Sequence, residues 1–410
     1  MPMKLLVFAH IPPPYHGQSS GVQRMLNGFG GDHRKWKRKA TVGSANHFGI
    51  ECYHVNARFS KDIQDIGKFR GKKILLILFY CLQAIWCRFR YGVKIFYYVP
   101  APGKRTALYR DWLVMLICRP FFRKIILHWH AAGLPEWLEV VASARARNFT
   151  HRLMKNSDVS IVASEFNRRD AEKFNARRIF VVSPGVPDPC PQFEKEVLKL
   201  RQAKIAAQQK ILNGHAAEVN TNDATVNVLY LAVCTREKGV FDTVEGVALA
   251  NEKHAIKKFP LRFRLTLIGA FTSSAEEKEL RELVQRRGLQ NDVECPGFVS
   301  EERKAQAFAD ADLFCFPTYY HAESFGAVIV EAMAFGLPIV TTRWRSIPEI
   351  LPQDYPGFVD PKSPGQIADA LQRLAGMDMA ESLREMFVRR FTLERHLINL
   401  AEAIHSVGKI

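Results

Sequence analysis

Two carboxylates, Glu323 and Glu331, flank the start of one helix in the segment His321-Ala322-Glu323-Ser324-Phe325-Gly326-Ala327-Val328-Ile329-Val330-Glu331. A polar turn with Gly326 opens that helix, and Gly336 followed by Pro338 closes it. The glycine lets a ligand approach the backbone, and the N–H groups of a first helical turn, helped by the helix dipole, suit a phosphate. Glu331 falls about one and a half turns into the helix and Glu323 in the loop before it, so one carboxylate can meet a ribose and the other a sugar. Glu331 also lies among Val328, Ile329, Val330, Ala332, Met333 and Ala334, where an acidic side chain is costly unless it has a partner. That cost argues against two merely solvated glutamates.

Such a pair needs strands and helices to hold it at the edge of a sheet. Short apolar runs at 4–10, 94–99, 124–130 and 159–164 alternate with amphipathic stretches, as in a parallel α/β sheet. A second series follows at 227–233, 262–270, 312–317 and 337–342. The chain is therefore expected to form two α/β domains, 1–187 and 227–385. Between them, 188–226 reads as a connection, with three prolines, a charged helical stretch and the polar run from Asn220. Residues 386–410 read as a C-terminal helix packing back across the domains. Ligands of such folds bind at the carboxyl ends of the strands.

The formal charge of +17 is unevenly spread. Residues 1–187 hold 31 Lys and Arg against 11 Asp and Glu, while 188–410 hold 27 against 30, which puts the whole excess in the first domain. A field of this kind attracts an anionic membrane, nucleic acid or a phosphorylated substrate. Basic residues near 61–127 flank apolar runs, which favours a membrane surface over nucleic acid. The charge-free stretch from Ile74 to Cys87 is shorter than a span of about 20 residues. It fits either a buried helix of the first domain or an interfacial one. The opening Met1–Ala9 reads as a first buried strand and not a signal peptide, so a cytoplasmic, peripheral location is expected. The eight cysteines show no Cys-x-x-Cys spacing and read as reduced core thiols.

The glutamate segment resembles glycosyltransferase family 4, the retaining group with the GT-B fold and a Glu-x7-Glu signature. Pro317-Thr318 before it and Ile347-Pro348-Glu349-Ile350 after it support the resemblance. The fold this implies is α/β, GT-B, with two Rossmann-like domains facing a central cleft. The resemblance gives Glu323 to the donor sugar, Glu331 to the ribose, and the turn Ser324-Phe325-Gly326-Ala327 to the diphosphate. Arg236-Glu237-Lys238-Gly239 is similar to the family's Lys-Gly turn, whose lysine neutralises donor phosphate. The arginine often found five residues earlier is Val233 here, and whether Arg236 replaces it is open.

Other segments agree in order. Pro296-Gly297-Phe298 resembles the loop that receives the base, with Phe298 either stacking on it or packing in the core. Pro12-Pro13-Pro14-Tyr15-His16-Gly17 resembles the first loop, with Gly17 beside the donor and His16 undecided. His128-Trp129-His130 ends a strand, and His130 is either a sugar-pocket histidine or one satisfied in the core. Both histidines point to one face, yet no third ligand is visible, so no metal site is expected. Val181–Asp188 carries Pro184 where asparagine is usual, and Arg345-Ser346 stands where two glycines are common.

The reaction implied moves a sugar from a nucleoside diphosphate to an acceptor hydroxyl with retention. His130, Glu323 and Lys238 act at the reacting centre, no cofactor is involved, and no metal is required. A lipid-linked or glycan acceptor of polysaccharide assembly at the inner membrane face is expected, without nucleic acid. Rival readings are a sugar-nucleotide epimerase or hydrolase on the same fold, and a silent basic protein that binds membrane or nucleic acid.

Overall fold

The computed structural model describes residues 2–13, 17–34, 47–58, 71–215, 224–256 and 259–409. Pro14 to His16 of the first loop, Lys61 to Arg70 of the basic stretch and Asn220 to Asp223 of the polar run lie outside the described residues. The chain divides into two compact units, one of 1–185 with 393–410 and the other of 186–392.

The first unit is built on the parallel strands β1 (Met3–Ala9), β2 (Ile50–Asn56), β3 (Ile95–Tyr98), β4 (Lys124–Trp129), β5 (Val159–Val162) and β6 (Ile179–Val181). Their order is β2-β1-β3-β4-β5-β6. Parallel crossovers are right-handed, so the reversal of direction after β2 distributes the helices over both faces. The helix Gly17–Gly28 covers one face through Val22, Met25 and Leu26, together with Leu397, Leu400 and Ile404 of the helix Leu393–His405. The helices Gly71–Tyr91, Arg105–Cys118 and Ala144–Met154 bury Cys81, Met115 and Met154 against the other.

The second unit contains β7 (Thr225–Leu231), β8 (Arg262–Ile268), β9 (Val293–Gly297), β10 (Leu313–Phe316), β11 (Ile339–Thr342) and β12 (Phe358–Val359). Its order, β12-β11-β10-β7-β8-β9, is also wholly parallel. The chain runs outward from β7 in one direction and from β10 in the other. Their boundary is the topological switch point, where the loops diverge and leave room for a ligand.

Three sequence expectations change. Residues 188–215 are no free connection, because they belong to the second unit. The helix Lys199–Leu212 buries Arg201, whose guanidinium donates to the carbonyls of Ala311 (2.8 Å) and Phe308 (3.3 Å). Those carbonyls end the helix Glu301–Asp310 and need donors, so a charge that reads as solvated is structural. Burial lowers the Arg201 pKa to about 10. The C-terminal segment does pack back onto the first unit as expected, but only from Leu393: it is two helices, Ala380–Arg390 in the second unit and Leu393–His405 in the first. Finally, the helix around Ile74–Cys87 extends to Tyr91 and, by length and apolarity alone, is sufficient to cross a membrane.

Candidate functional site

Strands β7 and β10 each end in a turn that carries a charged group. After β7 the turn Arg236–Lys238 closes on Gly239 at φ 82°, a left-handed conformation that favours glycine. A Cβ there would stand 2.4 Å from the carbonyl oxygen of Pro317, at the end of β10. The two turns are therefore in backbone contact, and only glycine permits it. Tyr319 N–H donates to the Glu237 carbonyl at 2.8 Å, and the Tyr230 hydroxyl donates to the Lys238 carbonyl at 3.2 Å.

This docking brings the Lys238 ammonium to 2.6 Å from Glu323 Oε2. The ammonium also stands 4.7 Å from the Tyr320 ring centroid, within cation–π range. Thr318 Oγ1 lies 3.5 Å from the same carboxylate oxygen. Glu323 is only 8% exposed, so its charge is stabilised by this lysine and hydroxyl rather than by bulk water.

Gly326 adopts φ 73° and opens the helix Ala327–Ala334. Phe325 just before it is buried against Phe391, with ring centroids 5.7 Å apart, so it anchors the turn and leaves only its backbone to a ligand. Ser346 is fully buried and donates to the Ser324 carbonyl at 2.7 Å, which fixes the other side of the turn. Glu331 finds the partner its apolar surroundings require in Lys304, at 3.1 Å. Burial opposes charge on Lys304, but the carboxylates of Glu331 and Glu301 prevail and raise its pKa.

Arg236 and Phe298 stand at the margin. Arg236 pairs with Glu279 at 2.5 Å and stacks 4.0 Å from the Phe241 centroid. Val233 beside it is partly exposed and supplies no charge. Phe298 is 78% exposed. The core reading of that ring is excluded.

In the first unit, Gly17 starts its helix at the end of the loop that follows β1, and a Cβ there would meet nothing within 4 Å. His130 follows β4 and is half-buried, with its ring centroid 4.1 Å from that of His128. A Cβ at Gly21 would reach 3.2 Å from His130 Cε1, so the helix after the first loop seats this histidine. His128 is buried and hydrogen-bonded through Nδ1 to the Tyr97 hydroxyl. Burial, then His130 and His396, hold its pKa well below the usual histidine value. Among the described residues no group of three or more His, Cys, Asp or Glu side chains is placed to hold a metal ion.

The second unit thus assembles Lys238, Glu323, the Ser324–Ala327 turn and Glu331 around one helix start. Gly17 and His130 are placed separately in the first. Lys304, Tyr320 and Gly21 were not singled out from the sequence, where they are an ordinary helical lysine, a loop tyrosine and a helical glycine.

Residues 215–392 match the family model described as Glycosyl transferases group 1. The chain is 28% identical over 161 residues to the putative colanic acid biosynthesis glycosyltransferase WcaL of Escherichia coli K12, covering 38% of this chain and 37% of that protein. It is 36% identical over 114 residues to the phosphatidyl-myo-inositol mannosyltransferase of Mycobacterium leprae, covering 28% and 29% respectively. The matched stretches thus span about a third of these relatives' length. Among solved structures, Anabaena HepE in complex with UDP and glucose superposes with a TM-score of 0.64 at 18% identity, covering 98% of this chain and all of that one. The halves of the chain are the two Rossmann-like halves of a GT-B fold, and residues 215–392 are similar to the group 1 glycosyl transferases.

Proposed function

We propose that this protein is a retaining glycosyltransferase that moves a sugar from a nucleoside diphosphate to an acceptor hydroxyl. The observation that carries the reading is the 2.6 Å contact of Lys238 with Glu323 beside the glycine-opened start of the helix that bears Glu331. The leaving diphosphate gains negative charge as the bond to the sugar breaks. Lys238 and the first-turn N–H groups are aimed where that charge forms, which favours the transition state over the bound substrate. Glu323 accepts hydrogen bonds from sugar hydroxyls and Glu331 from the ribose. Neither serves as a glycosidase-type acid. With a lysine and a helix start meeting the diphosphate, turnover without added divalent ion is expected.

Gly17 and His130 are assigned to the sugar end of the donor, and Phe298 to the base. Relatives named for colanic acid and amylovoran biosynthesis, the latter being the glycosyltransferase AmsK of Erwinia amylovora, favour a polysaccharide-precursor acceptor. The basic first unit favours a lipid-linked diphosphate sugar at the inner membrane face. Thermal-shift screening against a panel of nucleoside diphosphate sugars, with Glu331→Ala as control, tests the donor reading. A stabilising donor whose effect Glu331→Ala removes supports it. Turnover of that donor without any acceptor would favour an epimerase or hydrolase instead.

A further inference from the structure

The helix Gly71–Tyr91 is apolar on both of its faces, and only one of them is used by the fold. Ile77, Cys81, Ala84 and Cys87 are buried in the core of the first unit. On the opposite side Leu75, Phe79, Leu82, Trp86 and Phe89 range from 51% exposed at Trp86 to 69% at Leu75. Their spacings of four, three, four and three keep them in one stripe along the helix. The stripe continues onto the neighbouring segment, where the half-exposed Phe121 ring lies 6.1 Å from that of Phe89 and its carbonyl accepts from Arg88 Nε at 2.9 Å. So large a contiguous apolar surface on a folded protein marks a contact site.

Charge decides what it contacts. Residues 71–127 hold 11 Lys and Arg, and their single acidic residue, Asp111, is buried and paired with Arg110 at 2.8 Å. A second copy of the chain would bring this cationic border against its like, whether the helices met parallel or antiparallel. An anionic lipid surface matches both features, since acyl chains take the stripe and headgroups take the cations. Insertion across the bilayer is opposed by the packing, because Ile77, Cys81, Ala84 and Cys87 would have to leave their core.

We propose that the outer face of the Gly71–Tyr91 helix lies in the plane of an anionic membrane and is the docking surface of this protein, with the stripe from Leu75 to Phe89 dipping below the headgroups. Its role rests on the reading that the acceptor is lipid-linked. The surface itself does not depend on the donor chemistry.

The test is sedimentation of the full chain with phosphatidylcholine vesicles, with and without about one third phosphatidylglycerol. The wild type is expected to bind the anionic vesicles and not the neutral ones. Leu82→Glu with Trp86→Glu should weaken binding by at least about 30-fold, and Arg88→Glu with Arg90→Glu on the order of 10-fold or more. Brominated lipid should quench a fluorescence component that Trp86→Phe removes. Unchanged donor-induced thermal shifts in these variants establish that they are folded. Equal binding to neutral vesicles, or full binding by the Leu82/Trp86 variant, overturns the proposal. So does a wild type that dimerises through this face without binding vesicles, or one that resists alkaline carbonate extraction as a spanning protein does. Vesicle binding without any donor response would instead overturn the donor reading and leave the docking surface standing.

Discussion

Substituting Gly239 by alanine perturbs the proposed donor site without removing any of the side chains assigned to the donor. A non-glycine residue at its φ of 82° costs about 1–2 kcal/mol. The added Cβ would also lie 2.4 Å from the Pro317 carbonyl oxygen, well inside contact distance. Pro317 cannot retreat, because the next two residues are pinned to the neighbouring turn, Tyr319 N–H by the Glu237 carbonyl at 2.8 Å and Thr318 Oγ1 by the same oxygen at 3.4 Å. The Arg236–Lys238 turn must therefore shift and draw the ammonium from Glu323, a charged hydrogen bond that contributes about 1.5–3 kcal/mol. Strain alone should lower the melting temperature of the second unit by about 2–8 °C. Losing Lys238 from the leaving diphosphate should reduce kcat/KM on the order of 100-fold. Calorimetry and a nucleotide-release assay measure the two effects, and Lys238→Met should reproduce the kinetic loss together with a thermal loss of comparable size, because buried Glu323 is left without its cation. A Gly239→Ala protein with wild-type kcat/KM and melting temperature would refute the idea that turn contact positions Lys238.

Replacing Lys304 with methionine should destabilise the second unit by about 1–3 kcal/mol in a urea titration, because Glu331 keeps its apolar neighbours and loses its cation. Phe298→Ala, at an exposed ring, should leave stability within about 0.5 kcal/mol and weaken nucleotide binding by about 5- to 10-fold in an equilibrium titration. His128 and His396 both have pKa values lowered by burial in the fold. Below about pH 6.5 the unfolded chain binds protons that the folded one does not, so stability of the first unit should be complete above that pH and fall progressively below it, as denaturant midpoints across pH would record.

Much of the scaffold was legible because parallel strands buried on both faces appear as continuous apolar runs. β1, β3, β4, β7 and β10 are such runs. β2 carries Glu51 and His54, β9 carries Glu294 and Pro296, and β12 has two residues, so none of these three presents the pattern. The grouping of Lys238, Glu323 and Glu331 around one helix start was legible because the glycines, lysine and glutamates are close in sequence within each turn. Lys304 was not, since its pairing with Glu331 depends on how two helices pack. The Gly71–Tyr91 helix shows the same limit. With Ile77 and Cys81 inside and Phe79 and Leu82 outside, both faces are apolar, so periodicity cannot say which one the fold uses.

Paired calorimetric titrations with a nucleoside diphosphate and its sugar conjugate separate the roles of the two glutamates. If Glu331 holds the ribose, Glu331→Gln should weaken both ligands by about 10- to 100-fold. If Glu323 holds the sugar, Glu323→Gln should weaken the conjugate by a similar factor and the bare diphosphate far less. Wild-type affinity of both variants for both ligands would rule out this division of labour.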